Sequence, residues 1–178
     1  MTVDLPPSRD DVVAQLAGLA PDGDVAALRA ARADAKRYTQ GSDDALFAPD
    51  ATDLALDERL AAAAYAAHLS ASRVAAQASR ERLRALGDER AKAADALLAR
   101  IEAGASISEA GANTRLAAIL THTRALIDAP AATNQAALHA LQHAGLSTRA
   151  IVALSQLVAF VSYQIRVVAA LRALEERA

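Results

Sequence analysis

A chain of 178 residues is long enough for one compact domain with a real core and too short to favour two large ones. Its hydrophobic content of 53% with only 3% aromatic side chains requires a core of Ala, Leu, Val and Ile, which excludes disorder and favours closely packed helices. The absence of cysteine excludes disulfides, thiolate metal sites and thiol nucleophiles, and a net charge of −2 lacks the basic footprint of a nucleic-acid or anionic-membrane binder.

Ser8, after Pro6-Pro7, is a good N-cap and predicts a short amphipathic helix to Leu19, stopped at Ala20-Pro21. Met1 to Pro7 carries Asp4 and two prolines where a secretory signal needs an apolar stretch, so the expected compartment is the cytoplasm. A second helix is predicted from Asp24 to about Tyr38. Gly41-Ser42-Asp43-Asp44 and Ala48-Pro49-Asp50 then mark loops around a short apolar turn with Leu46 and Phe47. From Asp57 the longest helical pattern runs unbroken through Leu60, Leu69 and Leu83 to a stop at Gly87.

Further helices are predicted over about Glu89 to Glu102, Thr114 to Asp128 and Asn134 to His143, with a connection at Ser106 to Asn113. Ser147 caps a final long helix to about Glu176. No segment alternates β-branched residues as a strand would. The two long helices, Asp57 to Leu86 and Ser147 to Glu176, each follow a shorter helical stretch, which hints at an internal pseudo-repeat.

Ile151 to Leu174 is long and apolar enough to raise the question of a membrane span. Ser155, Ser162 and Arg166 recur on one stripe of that helix, with Gln156 and Gln164 further round, and a bilayer would penalise them. A packed interface satisfies such a stripe, so the expected partner is a second copy of the chain, a homo-oligomer formed through the C-terminal helix, and not a membrane.

The segment from Gly145 to Val168, with its phrase Ile151-Val152-Ala153-Leu154-Ser155-Gln156-Leu157-Val158-Ala159-Phe160-Val161 followed by Arg166, resembles the C-terminal helix of the alkylhydroperoxidase D-like, or carboxymuconolactone decarboxylase, superfamily. Leu5 to Val13, with Leu16 to Ala20, looks like the peroxidase-related subgroup of the same superfamily. The resemblance implies an all-α helical bundle over 1–178 as one domain, with 1–50 as an N-terminal helical extension. Active peroxidase relatives carry a glutamate and then Cys-x-x-Cys-x-x-x-His, in which one thiolate attacks the peroxide and the second resolves it. Anchored on Glu58, the similarity places Ser70 and Arg73 at the cysteine positions and Gln77 at the histidine. Thiol peroxidase chemistry is thereby removed, because serine lacks a base and neither arginine nor glutamine replaces a resolving thiol or a proton shuttle.

Ser70, Arg73 and Gln77 fall at i, i+3 and i+7, on one face of the predicted helix, and form either a pocket at the family's active-site position or an ordinary solvated stripe. A guanidinium at Arg73 implies either an ion pair with Glu58 or a small anionic ligand. Glu58 beside Asp57 also reads as a first-turn carboxylate favouring the helix dipole. Tyr65 and His68, one turn apart, are candidates for the same cleft as Ser72. As single histidines on helices, His68 and His122 are expected as hydrogen-bonded packing residues before bases. His139 and His143 have zinc-compatible spacing but no third ligand, so neither metal nor cofactor is expected.

Gln142 to Ile151 mimics a helix-turn-helix, but Ile151, Val152, Leu154, Leu157 and Phe160 leave little polar surface to read bases. Three function classes follow: a binding or structural member of the superfamily, a cysteine-independent enzyme of the decarboxylase type, and a DNA-binding regulator.

Overall fold

The computed structural model describes residues 11–51 and 53–177. Among them there are nine α-helices, one short 3-10 helix at Pro130–Ala132 and no strand, so the chain is all-α. The chain divides into two compact units, one of Met1–Ala45 with Arg166–Ala178 and one of Leu46–Ile165. Of the stretch 1–50 read from sequence as an N-terminal extension, the part to Ala45 groups with the end of the last helix and 46–50 belong to the second unit.

In the first unit α1 (Val12–Ala17) is capped by Asp11, whose side chain accepts the Ala14 N–H at 3.0 Å. Ser8, the cap expected from sequence, lies outside the described residues. Asp11 also receives both Nε and a terminal nitrogen of Arg29, on α2 (Asp24–Ala30), at 2.6 and 2.7 Å. Burial opposes ionisation of Asp11, but the Arg29 hydrogen bonds and charge outweigh it and hold the carboxyl below its ordinary range. Val12, Val13 and Ala17 pack with Val168 into a small core of their own.

The single helix expected from Asp24 to Tyr38 is two helices, because the chain turns at Ala31-Arg32. The loop expected at Gly41 to Asp44 is helical: α3 runs Ala33–Phe47. Its polar residues find partners within the helix, Thr39 Oγ1 on Ala35 O at 2.7 Å, Gln40 Nε2 on Asp44 Oδ1 at 2.8 Å and Ser42 Oγ on Tyr38 O at 2.8 Å. Local side-chain bonding that usually favours turns is here absorbed by the helix.

The second unit is built around α4 (Leu56–Leu69), in which every residue from Glu58 to Ala67 is buried. Six of those ten residues are alanines, and their short side chains let α5 (Arg73–Ala85), α6 (Glu89–Glu102) and α7 (Thr114–Asp128) all pack on α4. The three α-helices after α5 are each capped by a polar side chain: Asp88 accepts from Ala91 N–H at 2.8 Å, Asn113 from Leu116 N–H at 2.8 Å and Asn134 from Ala137 N–H at 3.2 Å. Asn134 opens α8 (Gln135–His143), and Ser147, accepting from Ala150 N–H at 3.1 Å, opens α9 (Thr148–Glu175).

The long helix expected from Asp57 to Leu86 is broken at Ser70-Ala71-Ser72. There Ala71 adopts φ 55, the left-handed region, while Ala71 N–H bonds to His68 O at 2.9 Å and Ser72 N–H to Ala67 O at 2.9 Å. These two bonds are the Schellman pattern, which closes off the last carbonyls of α4 and usually recruits glycine at the left-handed position. Alanine there carries a steric cost of about 1 kcal/mol.

Candidate functional site

The break between α4 and α5 opens a cleft of about 640 Å³. His68, in the last turn of α4, and Ala71 and Ser72, in the break, form one end; Arg73, Ala76, Gln77, Arg80 and Arg84 of α5 form a wall; Glu102, at the end of α6, faces them. Of the residues singled out from sequence, His68, Ser72, Arg73 and Gln77 are therefore brought together. Ser70 caps the end of α4 and does not line the cleft, so the face of Ser70, Arg73 and Gln77 expected on one continuous helix does not exist. Arg73 and Gln77 instead share a face of α5 as i and i+4.

Tyr65 also lies outside the lining. Its ring is buried and roughly parallel to that of His68, with centroids 6.4 Å apart, and its hydroxyl accepts from Arg124 Nε at 2.8 Å. It supports the cleft from behind instead of presenting a polar group to it.

Glu58 is committed elsewhere. Its Oε1 accepts from Arg115 Nε at 2.7 Å, and its Oε2 accepts the Ala55 N–H at 3.0 Å and a terminal nitrogen of Arg115 at 3.2 Å. Arg90 approaches at 3.8 Å while pairing with Asp57 at 3.0 Å. Glu58 lines a separate, smaller cleft of about 330 Å³ with Asp57, Arg90 and Arg100. Of the two roles weighed for it from sequence, the first-turn carboxylate holds, since Glu58 lies in the first turn of α4 and accepts the Ala55 N–H, while partnership with Arg73 gives way to an ion pair with an arginine 57 positions away. For its part Arg115 sits above the usual guanidinium range, first through the Glu58 hydrogen bond and then through nearby carboxylate charge, against the effect of burial.

The cleft wall carries a second charge cluster that sequence reasoning missed. Arg80 Nε donates to Asp95 Oδ1 at 2.6 Å and a terminal nitrogen donates to Glu102 Oε2 at 2.5 Å, while Arg84 Nε donates to Asp95 Oδ2 at 2.9 Å. Burial opposes ionisation of Asp95, but the hydrogen bonds and charges of Arg80 and Arg84 more than offset it and hold the carboxyl below its ordinary 3.8. The sequence does hold a signal: Arg73, Gln77, Arg80 and Arg84 stand at i, i+4, i+7 and i+11, one stripe of a helix.

Against this paired background Arg73 is exposed and its guanidinium meets neither carboxylate nor carbonyl among the described residues. Gln77 donates to Glu81 Oε1 at 2.9 Å, which leaves its carbonyl oxygen and one N–H open. Ser72, at the N-cap of α5, makes no side-chain capping bond, so the first-turn N–H groups beside Arg73 are not occupied by it.

The remaining histidines do not join the site. His139 and His143 are exposed on α8, and no group of three or more His, Asp or Glu side chains gathers in metal-binding proximity among the described residues. His122 is 4% exposed, as a packing residue should be, but neither ring nitrogen finds a hydrogen-bond partner among the described residues, and burial pushes its pKa below the ordinary 6.5.

In α9, Ser155 and Ser162 bond back to the Ile151 and Val158 carbonyls at 3.0 and 2.9 Å, while Val152 and Tyr163 remain exposed. By length and composition α9 could cross a membrane, although 39% of its most apolar stretch is buried in the protein. Comparison with protein-family models, with curated proteins and with solved structures returns no match.

Proposed function

We propose that this is a cysteine-free binding protein of the alkylhydroperoxidase D-like kind, which holds a small anion in the cleft between α4 and α5 and performs no thiol peroxide chemistry. Its affiliation with that superfamily rests on the sequence phrases near the two ends of the chain. The binding function rests on one observation: Arg73 is the cleft cation left without a partner among the described residues, while Arg80 and Arg84 are both held by carboxylates.

A guanidinium exposed in a concave site, beside open N–H groups at a helix start and the amide of Gln77, offers convergent donors to an oxyanion. Ala71 and Ala76 supply apolar surface for a short carbon tail. This favours a small organic acid over a bare inorganic ion. The ion-pair alternative for Arg73 loses its support, since Glu58 is saturated by Arg115.

Calorimetric titration with propionate tests the proposal. The native protein binds it saturably, whereas Arg73→Ala loses at least about tenfold in affinity, the usual scale for one charge-assisted donor, with stability unchanged within about 0.5 kcal/mol. Equal affinity in both proteins overturns the reading. A loss of stability without loss of affinity returns Arg73 to a structural role.

A further inference from the structure

We infer that the cleft is selective for a monoanion, and that Glu102 is the residue that sets this selectivity. The inference rests on the anion-binding reading and deepens it by naming the charge class of the ligand.

The argument is one of charge matching around the cleft. Three guanidiniums line it, those of Arg73, Arg80 and Arg84, together with one carboxylate, Glu102. Behind the wall Asp95 supplies a second carboxylate, its side chain 19% exposed and shared between Arg80 and Arg84. Two arginines thus face two carboxylates, and among the described residues the Arg73 guanidinium is left with no carboxylate to match it. Glu81, which accepts from Gln77, sits on α5 outside the lining.

A ligand with one negative charge completes the pairing. A ligand with two brings its second charge towards Glu102, whose carboxylate is among the residues lining the same space, and gains no further free cation in exchange. Arg80 cannot swing out to meet it without breaking bonds to Asp95 and Glu102 together, and the hydrogen bond it donates to Asp95, the strongest influence on it, holds its pKa above the usual guanidinium range. Glu102 is the adjustable member of the set. Its side chain is 32% exposed against 13% for Arg80, so losing its charge leaves Arg80 still held by Asp95 while releasing one positive charge into the cleft.

Propionate and malonate, titrated at pH 8 and constant ionic strength, distinguish the two charge classes, because at that pH both malonate carboxyls are ionised. The native protein binds malonate no more tightly than propionate. Glu102→Gln raises malonate affinity by about tenfold and propionate affinity by a smaller factor, while Glu81→Gln, which removes an equal charge outside the lining, leaves the ratio unchanged. A native preference for malonate of about tenfold or more overturns the inference without any variant, so it stays falsifiable even if Glu102→Gln folds poorly. An unchanged ratio in a folded Glu102→Gln, with propionate binding intact, overturns the selectivity role of Glu102 and leaves anion binding standing. Failure of the native protein to bind either ligand removes both.

Discussion

Arg59 and Arg73 stand near the starts of consecutive helices, yet one is 1% exposed and the other is open to solvent. The Arg59 guanidinium donates to three backbone carbonyls, Leu54 O at 2.9 Å, Leu46 O at 2.5 Å and Pro49 O at 3.0 Å, and so ties the segment leading into α4 to the helix itself. Burial lowers its pKa from the ordinary guanidinium value, while the charges of Asp50 and Asp57 act the other way. Arg73 has no such commitments among the described residues. The contrast separates a cation that the fold consumes from one that the fold leaves available, and it is the available one that identifies a binding site.

The buried side of the comparison breaks most severely. Arg59→Met keeps the side-chain volume but leaves three carbonyls without their donor, and the expected loss is about 3 kcal/mol, read as a lower denaturation midpoint in urea with an unchanged slope. A loss below about 1 kcal/mol would mean that water reaches those carbonyls freely, and the distinction between the two arginines would weaken.

Next in size is the acid sensitivity of the cleft wall. The Asp95 carboxyl has a folded pKa below its unfolded value of 3.8, so the stability it contributes is fully present above 3.8 and is lost as pH falls through the folded value. Asp95→Asn is expected to remove this pH-dependent part, about 1 kcal/mol, and to flatten the stability profile between pH 5 and 2 relative to the native protein. A profile as steep as the native one would show that Arg80 and Arg84 are not held by Asp95 in solution.

The smallest effect concerns the break that creates the cleft. Ala71→Gly relieves the left-handed strain at φ 55 and is expected to stabilise by about 0.5–1 kcal/mol in thermal unfolding. Destabilisation instead would mean that α4 and α5 run on as one helix, with no cleft between them.

That break is also where the sequence is least legible. Glycine announces a Schellman turn and alanine does not, so the stretch from Asp57 to Leu86 carries every sign of a single helix. The reverse error occurs at Gly41 to Asp44, where turn-forming residues lie inside α3 and the side chains of Ser42 and Asp44 bond one turn back along it. By contrast α6, α7, α8 and α9 are readable almost to the residue, since Asp88, Asn113, Asn134 and Ser147 are polar caps in front of apolar periodicity.

The site divides in the same way. The stripe that Arg73 and Gln77 make with Arg80 and Arg84 is available from spacing alone. The pairing of Glu58 with Arg115 is not, because it joins helices 57 residues apart and no local pattern records such a contact. Nor does any spacing rule anticipate an arginine such as Arg59 buried on carbonyls.

Side-chain nitrogen NMR brings both arginines into one experiment. In a propionate titration followed through the Nε–H resonances, the Arg73 signal is expected to move saturably, at the same dissociation constant that calorimetry gives, while the Arg59 signal stays in place. An Arg73 resonance that does not move, or that drifts linearly together with exposed arginines elsewhere on the surface, contradicts the claim that the cleft between α4 and α5 is an anion-binding site.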